Sequence, residues 1–141
     1  MMADIIILPA IVCGLIIGIY EAILLSRDVT VPTHKFTHMA QALIYAVIAV
    51  FFTMNAPFIY ATFTFLHSVP LLQYPIVFQI AVGIITMVKI HGASAAIKST
   101  GVGLSVGMKE TWFHSLLIGA LVVLAPYVWP FVAPVMPGWL Q

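Results

Sequence analysis

Two histidines four residues apart, His34 and His38, stand in a chain that otherwise holds almost no charge. At that spacing both side chains share one face of a helix, and both imidazoles can reach one metal ion. A carboxylate from another helix would complete the shell. Glu21 is the candidate, because it is the single charge in the apolar run 5–25. The set admits two kinds of chemistry. One is binding of Cu, Zn or Fe by His34, His38 and Glu21. The other is a proton relay through Glu21, since a carboxylate placed inside a membrane is costly and rarely idle. A structural reading competes with both: a polar cluster at the membrane boundary, with Glu21 neutral or paired to His38 or Arg27. HxxxH alone fixes no second ligand pair in space. No Ser-His-Asp spacing, nucleophile elbow or cofactor fingerprint is present, so no catalytic residues are expected.

The elements that must position these residues follow from composition. Of 141 residues, 63% are hydrophobic and 6% are charged. Soluble domains carry about 25% charged residues, so the solvent for most of this chain is expected to be lipid. A net charge of +1 offers no basic surface for nucleic acid. The lone Cys13 excludes a disulfide within the chain.

A helix crosses about 30 Å of hydrocarbon with about 20 residues. The apolar runs then read as an all-α, polytopic membrane domain of four spans, at roughly 4–26, 34–67, 70–92 and 109–128. The first run lacks the basic start of a signal peptide and is too long for one. The second run is too long for one straight helix and contains Pro57, which predicts a kink near Asn55–Pro57, with a break into two pieces as the alternative. The Gly- and Ser-rich stretch 92–110 reads as a surface connector. Its glycines lack the GK[ST] of a phosphate loop. Pro126, Pro130, Pro134 and Pro137 predict a helix end by about Val128 and an apolar, non-helical tail over 126–141.

Polar and small residues recur at helical spacing. Gly14, Gly18, Glu21, Leu25 and Asp28 form one stripe, with a small-xxx-small face that admits another helix. His34, His38, Gln41, Tyr45, Ile48, Phe52 and Asn55 form a second, expected to face protein rather than lipid. Gln79, Gly83 and Thr86 repeat the theme. Gly14, Gly18, Gln41, Tyr45 and Asn55 are therefore the helix-packing candidates.

All five Lys and Arg fall in or beside the first and third connections. The positive-inside bias places loops 26–37 and 90–110 in the cytoplasm and both termini outside. Trp112 and Trp129 are spaced to mark the two interfaces of the fourth span. These features point to a small integral subunit of a larger complex in the plasma membrane, of a respiratory or metal-containing oxidase type. Such a subunit acts by helix association, with lipids and other membrane subunits, or itself, as partners. The alternative is a homo-oligomeric channel or transporter for protons or a metal cation.

Overall fold

A computed structural model of the chain describes residues 4–28, 32–100 and 112–140. Among these residues the protein is all-helical and has no strand. The order is α1 (Leu8–Asp28), α2 (Pro32–Met54), α3 (Ala56–Thr62), α4 (Pro75–Thr100) and α5 (Trp112–Val132), with short 3-10 turns at Thr64–Ser68, Ala133–Val135 and Gly138–Leu140. Proline marks the starts. Pro32 and Pro75 are the first residues of α2 and α4, where the missing N–H would have no intrahelical partner anyway.

α1 and α2 form one closely packed antiparallel pair and α4 and α5 another, with α2 also touching α4 and α5. Glycine sets the approach of the first pair. A Cβ on Gly14 would fall 2.6 Å from Val47 Cα, and one on Gly18 would fall 2.9 Å from Leu43 Cα. In the second pair, a Cβ on Gly83 would meet Gly119 O at 2.9 Å, and one on Gly119 would meet Gly83 O at 2.8 Å. Between the pairs lies an apolar core of Ala10, Ala49, Val50, Met54, Val122 and Ala125.

Three boundaries differ from the sequence expectation. Residues 4–7 are not helical, and α1 begins at Leu8. α4 does not stop near residue 92 but runs to Thr100, through the first part of the stretch read as a connector. Gly92, Ala93 and Ser94 allow this, because one glycine costs a helix only about 1 kcal/mol. α5 does not end near Val128. It continues to Val132 with Pro126 and Pro130 inside it.

The second apolar run is broken. α2 and α3 meet at 65° around Asn55. After α3 the chain turns back through 69–74, where Leu71 holds a left-handed φ of 72°. The Tyr60 hydroxyl donates to Leu72 O and lies 3.3 Å from Tyr74 O, which ties this turn to α3.

Among the described residues, one stretch, Trp112–Val135 at 24 residues, is long and apolar enough to cross a membrane, and the bent α2–α3 pair would add a second. Leu8–Leu24 and Pro75–His91 are shorter apolar helices.

Candidate functional site

Each proline inside a helix removes one N–H and so frees the carbonyl four residues earlier. Pro57 frees Thr53 O and Pro126 frees Val122 O. Both carbonyls are answered by side chains. Gln79 Nε2 donates to Thr53 O at 3.0 Å. The Thr53 hydroxyl donates to Val122 O at 2.9 Å and lies 3.1 Å from Val50 O. The Tyr127 hydroxyl in turn donates to Gln79 Oε1 at 2.5 Å. The amide of Gln79 is thereby held at both ends.

Asn55 occupies the break itself. Its side-chain oxygen accepts from Ile6 N at 2.6 Å, and its Nδ2 donates to Ile6 O at 2.8 Å and to Phe51 O at 2.9 Å. It clamps the non-helical segment before α1 onto the end of α2. Thr53, Asn55 and Gln79 are all buried. Together with Tyr127 they make a polar belt linking α2, α4, α5 and the N-terminal segment. Its amide groups and hydroxyls are engaged by one another and by backbone, so it fixes geometry. Broken helices at membrane depth are tolerated where such groups satisfy the freed backbone.

The expected ligand set lies at the other end of the bundle. The contacts Ile6–Asn55, Gly14–Val47 and Gly18–Leu43 keep one register along α1 and α2. That register puts Glu21 level with Ala40, close along the axis to His38. Glu21 is 1% exposed, so its carboxyl is inside the bundle on the face that carries Gly14 and Gly18. The side chains of His34 and His38 lie outside the described residues. Among the described residues, no group of three or more His, Cys, Asp or Glu could hold a metal ion. At the same end, His91 of α4 stacks on Trp112 of α5, with ring centroids 3.7 Å apart and planes at 16°. Its Nδ1 is buried without a hydrogen-bond partner.

The α2 stripe divides. Asn55 is buried, but Gln41, Tyr45, Ile48 and Phe52 face the outside of the chain, with Tyr45 42% exposed. The side of α2 turned toward the other helices is Ala42, Ala46, Ala49, Val50 and Thr53. Gly14 and Gly18 sit against Val47, Leu43 and Ala46, so close backbone approach rather than polar pairing selects the buried side of α2. The Gln79, Gly83, Thr86 stripe of α4 is buried throughout. Spacing does not point to Thr53, Gly119 or Tyr127. For Thr53 alone the prolines carry a signal, because the carbonyl that Pro126 frees needs a donor. Compared with known proteins, the chain matches no family model, no curated protein and no solved structure.

Proposed function

We propose that this chain is a four-span integral membrane subunit, N-out and C-out in the plasma membrane, that acts by helix association within a larger complex and supplies no chemistry of its own. A respiratory or metal-containing oxidase assembly is the kind of complex proposed. The observation that carries the reading is inverted polarity. Glu21, Thr53, Asn55, Gln79, Thr86 and Ser115 are buried, whereas Ile16, Ile84, Phe131 and Val135 are among the many large apolar residues turned outward. Such an exterior suits lipid and other helices rather than water.

The outward face of α2 supports partners in particular. Gln41 presents an amide, and Tyr45 a phenol, on an otherwise apolar side. Polar groups turned to hydrocarbon are costly, and a neighbouring subunit would supply their hydrogen-bond partners. Affinity purification from native membranes in mild detergent, followed by mass spectrometry, tests the proposal. Stoichiometric co-purification of other membrane polypeptides is expected. Recovery of a homo-oligomer alone would sink the subunit reading and leave the channel or transporter.

A further inference from the structure

Beyond α2 the chain stops climbing. α3 leaves α2 at 65°. With α2 upright in a bilayer, the 7 residues of α3 rise only about 4 Å, where an upright helix of that length would rise about 10 Å. The chain then passes through the 3-10 turn Thr64–Ser68 and the turn 69–74 into α4. The depth of this stretch is set by α4 and α5, which run antiparallel and touch at Gly83 and Gly119. Tyr74 precedes Gly83 by 83 − 74 = 9 residues, and Trp129 follows Gly119 by 129 − 119 = 10 residues, so the two aromatic side chains start from the same level. Tyrosine and tryptophan at one level mark a membrane–water interface. The stretch 56–74 therefore runs close to the membrane plane and ends at interfacial depth.

What covers it follows from two opposite demands. The side chains shun water. No Lys, Arg, Asp or Glu occurs from Phe36 to Val88, and Phe63, Phe65 and Tyr74 are exposed by half or more. Leu71 is 69% exposed at a φ of 72°, a conformation that glycine takes freely and leucine takes at a cost. Leucine at that position holds an apolar side chain out at the tip of the turn. The backbone, by contrast, shuns hydrocarbon. Leu66 N, Val69 N, Gln73 N and Tyr74 N bond within the turns, and the Tyr60 hydroxyl serves Leu72 O. An open turn still cannot satisfy its polar groups as completely as a spanning helix does. Water rejects the side chains and the hydrocarbon core rejects the backbone. The boundary between headgroups and acyl chains accepts both. The exposed polar residues His67, Ser68 and Gln73 suit the headgroup side of that boundary.

We infer that 56–74 is an interfacial anchor, seated in the outer leaflet with Phe63, Phe65 and Leu71 among the uppermost acyl carbons, and that its partner is the lipid surface itself. The inference rests on the membrane reading above. The test uses the full chain in phosphatidylcholine nanodiscs, in a Cys13→Ala background, with Leu71→Cys carrying a nitrobenzoxadiazole fluorophore. Ile84→Cys, an exposed position in the middle of the apolar part of α4, is the reference for the membrane core. Spin-labelled phosphatidylcholines quench from two depths, one labelled near the headgroup and one near the chain end. At Leu71 the shallow label is expected to quench at least twofold more than the deep one, and at Ile84 the order should reverse. Phe65→Cys gives a second reporter, and circular dichroism with elution volume identifies labelled chains that remain folded. Water-like emission at Leu71, with Ile84 still quenched from the deep position, would overturn the anchor and leave the membrane reading standing. Water-like emission at both positions would overturn both. Shielded emission at Leu71 that neither lipid quenches would mean that protein covers the turn, and stronger quenching there from the deep position would place the turn inside a crossing. Either of these results overturns the anchor as well.

Discussion

Thr53 does two jobs with one residue. Its carbonyl takes the Gln79 amide because Pro57 cannot supply an N–H, and its hydroxyl serves the carbonyl that Pro126 leaves free. Thr53→Val keeps the shape and removes the hydroxyl, so Val122 O is left buried without that donor. A loss of about 1 kcal/mol is expected in a detergent unfolding titration. Pro126→Ala restores the N–H within α5 and should make Thr53→Val nearly neutral in that background. A double-mutant cycle with no coupling would show that the hydroxyl does not compensate the proline. Glu21 is also buried, but the proposed function gives it no proton or metal to handle. Glu21→Gln should therefore leave both co-purification and the activity of the assembly intact. An assembly that still forms but is inactive would turn Glu21 into a working residue. Asn55 is legible in the sequence because it ends the helical stripe of α2, at the kink that Pro57 predicts. Thr53 and Tyr127 are not, because their partners are a backbone carbonyl 69 residues away and a side chain 48 residues away. Long-range pairing of that kind leaves no periodic trace.

At the scale of elements, the helices were readable and their ends were not. Length and apolarity mark the main helical runs, but not α4 beyond residue 92 or α5 beyond Val128. Where each one stops depends on who satisfies its last carbonyls. α5 passes Pro126 because Thr53 reaches Val122 O, so a tertiary contact overrides the local rule that proline ends a helix. The α2 stripe misled for a related reason. Polar spacing predicts the buried side, yet alanines mark it, because the α1 seam is set by how closely two backbones approach. The same physics governs α4 and α5. Gly119→Ala would place a Cβ 2.8 Å from Gly83 O and 3.3 Å from Met87 Cβ, and neither the carbonyl nor the Cβ can swing aside. The helices must separate, at an expected cost of about 1–3 kcal/mol, the range for overpacking. Gly138→Ala meets nothing within 4 Å and should unfold like the parent. Equal stability of the two variants would mean that the close approach of α4 and α5 contributes nothing to the fold.

At the scale of the whole molecule, the two ends of the bundle differ in kind. One end holds the polar belt, the α2–α3 break and the turn tied down by Tyr60. The other holds Glu21 and the His91–Trp112 stack, with Lys35 near the start of α2 and Lys89 toward the end of α4. Composition alone made the apolar exterior legible, since 6% charged residues cannot clothe a water-facing surface. The sidedness of the bundle rests on the basic residues and is the part most open to direct measurement. We expect the belt end outside and the Glu21 end in the cytoplasm. Leu140 is buried and unsuited to labelling, but Trp139 beside it is 71% exposed, and Phe36 near the start of α2 is 80% exposed. In a Cys13→Ala background, Trp139→Cys should react with a membrane-impermeant maleimide on intact cells. Phe36→Cys should react only after permeabilisation. The opposite pattern would invert the topology and carry Glu21 and the basic loops to the outer face. Reaction of both on intact cells would place both ends of the bundle on one side, which four straight crossings cannot do. The number of spans would then be wrong, and α2 with α3 would be a re-entrant pair rather than a crossing.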